Sequence, residues 1–240
     1  MLLYYIRHAD PTYQPDQLTS LGHIQAESVA KRLARYGIDE IYASSSNRAV
    51  QTAQPLSVLT KAEINQLPWA HEDNAYRALC IGDRFTEGMS KWCYQDHTII
   101  QLFNRPDVRA LGRKWYTHPC FAEHSFGPGI EAIQQNTDAF LKSLGYAHDL
   151  ENNCFYTEKD TEKRVAFFCH EGIGTVFLSW LLDIPYPEFV TRFKMSHTGV
   201  TAIHFNRRGN IVIPELLTYS NDSHLYADGY PTKCCNEILL

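Results

Sequence analysis

The feature that most constrains this chain is a short apolar run, Leu2-Leu3-Tyr4-Tyr5-Ile6, that ends abruptly in Arg7-His8. Such a run reads as a buried strand of an α/β sheet. A guanidinium and an imidazole at its exit stand where open α/β sheets bind ligands, in the crevice beyond the carboxyl ends of the strands. Arginine grips phosphate or carboxylate with a planar fork. Histidine serves there as a nucleophile or proton carrier near neutral pH.

The same grammar recurs twice. Glu40-Ile41-Tyr42-Ala43 leads into Ser44-Ser45-Ser46-Asn47-Arg48-Ala49-Val50-Gln51-Thr52-Ala53, and Val165-Ala166-Phe167-Phe168-Cys169 leads into His170-Glu171-Gly172. In each case a β-prone run meets a small polar or Gly-containing turn and then a helix opening. Arg7, His8, Arg48 and His170 at these junctions describe a pocket for an oxyanion. Helix N-termini add backbone N–H donors and positive dipole ends to such a pocket.

These motifs resemble those of the histidine phosphatase superfamily, whose members include the phosphoglycerate mutases. Arg7-His8 stands where the family has Arg-His-Gly. Leu18-Thr19-Ser20-Leu21-Gly22-His23-Ile24-Gln25-Ala26 is similar to its Leu-Thr-x-x-Gly-x-x-Gln-Ala, the Ser44–Ala53 segment to its arginine motif, and Cys169-His170-Glu171-Gly172 to its second histidine motif. The resemblance covers roughly residues 1–72 and 160–220. It implies that His8 is the nucleophile and forms a phosphohistidine, with its other ring nitrogen held by a backbone carbonyl. It implies that Arg7, Arg48 and His170 hold the phosphoryl oxygens, His170 also acting in catalysis, with no metal and no other cofactor. The proton donor falls about two dozen residues past the second arginine, which points to Glu72, kept dry by Trp69; Asp73 and Glu87 are its competitors.

The chain departs from the family in one loop. Ala9 replaces the glycine after the histidine and is expected to narrow the pocket floor or the backbone options. Gln14 stands where many members place a phosphate-binding asparagine, and Pro11 stiffens the same loop. These changes argue for a phosphomonoester hydrolase acting on a small phosphorylated metabolite. A phosphoglycerate mutase is the alternative, and a non-catalytic phospholigand-binding module is a further one.

Composition agrees with an enzyme of small molecules. A net charge of −5 gives no case for nucleic acid or an anionic membrane surface, so an anionic substrate is drawn by the local arginines. No apolar run approaches a membrane span. The cysteine count is odd, at 7, with no CxxC pair, which points to reduced thiols in a cytoplasmic protein. The oligomeric state is not written in the sequence.

Strands are predicted at Leu2–Ile6, Glu40–Ala43, Ala62–Leu67, Val165–Cys169, Thr201–Phe205 and Ile211–Leu216. Helices are predicted near Thr19–Tyr36, Arg48–Leu59, Gly129–Leu144 and Ile173–Leu182, with Thr19 as an N-cap. The expected fold is an α/β three-layer sandwich in a single domain over residues 1–240. Its central sheet is mostly parallel, with one antiparallel edge strand from the hairpin around Asn206–Asn210. Residues 74–128 are too long for a plain connection and are expected to form a mostly helical cap. Most of its aromatics should pack the cap onto the core. Arg77, Arg84, Lys91 and Arg113 are its candidates for reading a second anionic group on the substrate, and its aromatics are candidates for stacking on a ring. His118, Cys120, Glu123 and His124 fit no standard zinc spacing. His197 and His224 are further candidates for the crevice.

Overall fold

In the computed structural model, residues 1–82, 90–158, 161–230, 233–234 and 238–239 are described. The elements run β1 (Leu2–Arg7), β2 (Pro11–Tyr13), β3 (Asp16–Leu18), α1 (Ser20–Ala34), β4 (Glu40–Ser44), α2 (Asn47–Thr60), β5 (Ile64–Leu67) and α3 (Glu72–Leu79). There follow β6 (Cys80–Gly82), β7 (Ser90–Trp92), α4 (His97–Phe103), α5 (Pro106–Arg109), α6 (Phe126–Ser143), β8 (Ala147–Asp149) and β9 (Cys154–Tyr156). The chain continues through β10 (Arg164–Cys169), α7 (Glu171–Leu181), α8 (Tyr186–Val190), β11 (Val200–Arg208), β12 (Ile211–Asn221) and α9 (Ser223–Ala227).

The predicted apolar strands form one side of an eight-stranded sheet of order β5-β4-β10-β1-β11-β12-β9-β8. β1 is buried almost end to end because it lies between β10 and β11 and is covered on both faces. Tyr4 and Ile6 face the small apolar residues of α1 and α2, including Val29, Ala30, Ala53 and Leu56. Leu3 and Tyr5 face the opposite layer, where α6 and α7 supply Ile133, Phe140, Ile173 and Phe177. Alternation along a strand therefore produces the three layers directly.

β5, β4, β10 and β1 pair in parallel, as expected. The antiparallel part is larger than one edge strand. β11 pairs antiparallel with β1 inside the sheet, and β12, β9 and β8 extend it by further antiparallel pairings. The short β8 and β9, of three residues each, carry too little periodicity to be read from sequence. The β11–β12 hairpin turns tightly at Gly209, whose φ of +70° suits glycine.

Register sets the site. Arg7 pairs with Cys169, Phe168 with Ala43, and Ser44 with Leu67. The carboxyl ends of β1, β10, β4 and β5 therefore finish along one edge of the sheet. Residues 7–8, 44–48, 68–72 and 170–172 emerge side by side there, although the chain separates them widely.

The described part of residues 74–128 is mainly helical, with a small β6–β7 hairpin. Trp115 packs on Phe121 and Phe126 and stacks on Tyr186, whose ring also meets Phe103, so most aromatics here serve packing, as predicted. Phe85 and Met89 lie outside the described residues. Among the described residues, no helix is long and apolar enough to cross a membrane.

Candidate active site

The strand ends meet in a cavity of about 760 Å³ lined by Arg7, His8, Arg48, Glu72, Glu171 and the aromatics Tyr13, Tyr76, Trp92 and Tyr94, among others. His8 is almost wholly buried at its floor. Its backbone N–H donates to the Cys169 carbonyl at 2.8 Å, which keys the end of β1 to the end of β10. Its Nδ1 lies 2.8 Å from the Ala9 carbonyl. That carbonyl selects the tautomer with the proton on Nδ1, so Nε2 carries the lone pair. Burial, reinforced by His170 and then by Arg7 and Arg48, pulls the ring's pKa well below the usual imidazole range. His8 is therefore neutral, the form a nucleophile needs.

Ala9 does not narrow the floor. Its side chain turns away into a small apolar cluster with Leu18 and Ala26, and its N–H donates to Thr52 at 3.0 Å.

Arg7 donates to the Met195 carbonyl and pairs with Glu171 at 3.1 Å. The loop carrying Met195 is tied to the end of β1 by Thr198, whose N–H donates to the Arg7 carbonyl at 3.0 Å. Arg48 enters from the first turn of α2. Its NH1 meets Asp16 at 2.8 Å, and its guanidinium lies 5.3 Å from the centre of the Tyr13 ring. Asp16 also accepts from the Asn47 N–H at 2.8 Å, so its carboxylate occupies the N-terminus of α2, where the Ser46 side chain makes no cap. Both arginines are thus already held by carboxylates.

His170 is fully buried behind His8, with the ring centres 5.1 Å apart. Its Nε2 lies 2.7 Å from Ser44 Oγ and 3.1 Å from Ser46 Oγ, while Nδ1 has no hydrogen-bond partner among the described residues. Burial, followed by the Arg48 charge, keeps this ring neutral too. His197 also reaches the cluster, its ring centre 5.5 Å from that of His8.

Glu72 is brought to the same cavity. It opens α3 and reaches across to the N-terminus of α7, accepting from the Gly172 N–H at 2.8 Å and the Ile173 N–H at 3.1 Å. Those bonds and the two arginines favour the carboxylate, but burial outweighs them and pushes the pKa up to about 7. The shielding aromatic is Trp92, not Trp69. A Cβ placed on Gly172 would lie 2.4 Å from the Trp92 ring and 2.7 Å from Glu72 Oε1, so only glycine lets the three converge. Trp69 instead packs on Phe140 and Phe167 above the sheet.

Other expectations resolve clearly. Gln14 is exposed at the cavity mouth, and Asp73 is an exposed lining residue. Glu87 and Arg84 lie outside the described residues. Arg77 lines a separate cavity with Trp69 and Asn74. Lys91 pairs with Asp96 at 2.6 Å, and Arg113 donates to Asp183 at 2.6 Å while covering Trp180. None of these three basic residues lines the active cavity. His224 does not line the crevice either; it sits beside Thr198 Oγ1 at 3.0 Å, under α1. His118 lies 3.2 Å from Asp107, and His124 stacks on Phe126, so both are engaged structurally.

A family model, that of the histidine phosphatase superfamily (branch 1), matches residues 3–75. The match is to the histidine phosphatase superfamily. The matched stretch contains Arg7-His8 and the Arg48 segment and ends just past Glu72. Among curated proteins, none matches the chain. A phosphoserine phosphatase from Entamoeba histolytica, solved with phosphoserine, has the same fold at 19% identity, with a TM-score of 0.58 over 93% of this chain and 98% of that one. A mycobacterial glucosyl-3-phosphoglycerate phosphatase matches at 16% identity and a TM-score of 0.59, over 92% of this chain and 98% of that one.

Sequence reasoning missed Asp16, Glu171 and Tyr13 as site residues, and it did not single out Tyr76, Trp92 and Tyr94 among the aromatics of residues 74–128. Asp16 is a lone carboxylate, and Glu171 lies inside the second histidine motif at a position to which no role was given. The aromatics come from three separate elements and one loop, and only folding makes them neighbours.

Proposed function

We propose that this chain is a phosphomonoester hydrolase that works through a phosphohistidine on His8. The observation that carries the reading is the shared cavity of a neutral, tautomer-selected His8 and a Glu72 poised near neutral pH. His8 Nε2 uses its lone pair to form a bond to phosphorus as the ester P–O bond breaks. The departing oxygen takes the proton of Glu72. Water then attacks phosphorus, the N–P bond returns its electrons to Nε2, and the Glu72 carboxylate accepts the water's proton. Arg7 and Arg48 stabilise the equatorial oxygens, and His170, directly behind His8, is assigned to the remaining phosphoryl contact through Nδ1. Gln14 at the mouth is placed to meet a phosphoryl oxygen as the substrate enters.

Two guanidiniums supply the positive charge that a divalent cation supplies in other phosphoryl-transfer sites, so turnover should survive EDTA. The substrate is a small phosphorylated metabolite, with the 74–128 segment as a cap over the pocket of a single domain. The thiols of Cys93, Cys120, Cys154 and Cys169 fit a reducing cytoplasmic setting.

The test is acid-free quenching of the enzyme during turnover of p-nitrophenyl phosphate, followed by peptide mass spectrometry. A phosphoryl adduct on His8 is expected. Steady phosphate release with no adduct in wild type, and undiminished release by His8→Ala, would overturn the mechanism. Phosphoglycerate interconversion, run in parallel, separates hydrolase from mutase.

A further inference from the structure

Resting on the phosphatase reading, we propose that the outer half of the cavity is a leaving-group subsite for an aromatic alcohol that carries no negative charge. The cavity wall beyond the phosphoryl site is built from Tyr13, Tyr76, Trp92 and Tyr94. Trp92 is stacked on Tyr94, with ring centres 5.6 Å apart, and meets Tyr76 edge-on at 5.5 Å. Tyr76 is itself held by a hydrogen bond to Ser90. Tyr76, Trp92 and Tyr94 therefore form a braced platform, and a planar ring docking on it orders few side chains.

Charge points the same way. The described lining carries the guanidiniums of Arg7 and Arg48 against the carboxylates of Asp16, Asp73 and Glu171, with Glu72 near its midpoint at neutral pH and His71 standing 3.7 Å from Asp73. A phosphoryl group enters by taking Arg48 from Asp16 and Arg7 from Glu171. Those two carboxylates are then left facing whatever the phosphate is attached to. A second anionic group on the substrate would meet their repulsion; Arg77, Lys91 and Arg113 are turned elsewhere, and the Lys194 ammonium is engaged over the Tyr94 ring, 4.3 Å from its centre. A neutral or cationic ring meets aromatic faces and carboxylates instead.

The experiment compares esters whose alcohols leave equally poorly: 2-phenylethyl phosphate, 2-cyclohexylethyl phosphate, phosphoserine and 3-phosphoglycerate. The aromatic ester should exceed the cyclohexyl ester about tenfold in kcat/KM, roughly the value of one or two aromatic contacts. It should exceed the two carboxylate-bearing esters by more. Trp92→Leu should bring the phenyl-to-cyclohexyl ratio close to one. Because Trp92 braces Gly172 and Glu72, Tyr13→Leu serves as the second variant; Tyr13 is 66% exposed on the β2–β3 hairpin, so its loss leaves the core intact, and it should lower the same ratio. Equal rates for the phenyl and cyclohexyl esters, ratios unmoved in both variants, or a preference for 3-phosphoglycerate would overturn the subsite. Failure to hydrolyse any ester, p-nitrophenyl phosphate included, would instead sink the phosphatase reading on which it rests.

Discussion

The floor and the wall of the one cavity are built in opposite ways. The floor consists of His8, Arg7 and Arg48, with His170 buried behind His8, each at or within two residues of the end of a sheet strand or the start of a helix packed on it. These side chains are buried and tied to backbone carbonyls and hydroxyls. The wall consists of Tyr13 on a small hairpin, and Tyr76, Trp92 and Tyr94 from α3, β7 and the turn after it. None of these belongs to the main sheet. A floor anchored to strand ends suits chemistry that tolerates little displacement. A wall on peripheral elements can be changed without disturbing that chemistry, which is where selectivity among leaving groups belongs. Glu72 is the seam: it starts a peripheral helix, yet its carboxyl group is clasped by the first turn of α7.

Substitutions should separate the two. On the floor, His8→Ala should lower kcat by several orders of magnitude for every ester, because removing a nucleophile abolishes the covalent route. Far-UV circular dichroism should be unchanged; comparable turnover by the variant would deny the floor its chemical role.

Arg48→Ala comes next, costing roughly 3–4 kcal/mol in kcat/KM, the scale of one preorganised charge stabiliser. The loss should be similar for aromatic and aliphatic esters, since the arginine is assigned to the phosphoryl group. A strongly ester-dependent loss would move Arg48 from floor to wall.

At the seam, Glu72→Gln should depress hydrolysis of alkyl phosphates by about 10²-fold or more, while p-nitrophenyl phosphate, whose leaving group departs as an anion, is affected far less. For wild type acting on an alkyl ester, the rate should decline as pH rises through about 7, because the proton donor is lost. The variant should lack that decline. Equal losses on both substrates would return the role to Asp73 or to Glu87.

The smallest effect is on stability. The folded Glu72 carboxyl has its pKa raised to about 7, above the ordinary glutamate range, so the folded state holds a proton that the unfolded chain has released. Stability should therefore be highest below the ordinary glutamate pKa, fall as pH rises toward about 7, and level off above it. Partial exposure and the two backbone donors limit the change to roughly 1–3 kcal/mol. Urea unfolding at pH 5 and pH 8 should show Glu72→Gln gaining on wild type by that amount at the higher pH. No difference would mean that the carboxyl is as well solvated as the outer wall.

The wall also explains what the sequence left open. Arg77, Lys91 and Arg113 were plausible readers of an anion because a charge in an insertion carries no sign of which way it points. Folding gave Lys91 to Asp96 and Arg113 to Asp183. Trp69 was a reasonable shield for Glu72 by proximity in the chain, but it lies over the sheet on Phe167, and Trp92 arrives from across the β6–β7 hairpin. Gln14 reached only the cavity mouth.

By itself the sequence determined the layered α/β sheet, its parallel half and the meeting of Arg7, His8, Arg48 and His170 at the strand ends. Buried parallel strands must be nearly all apolar, and the first polar residue after each must lie at the sheet's edge. The tertiary structure alone decided the extent of the antiparallel half, the carboxylate partners of Arg7 and Arg48, the clasp of Glu72 by Gly172 and Ile173, and the aromatic wall. Each depends on residues far apart in the chain, whose approach is set by how the layers pack and leaves no periodicity to read.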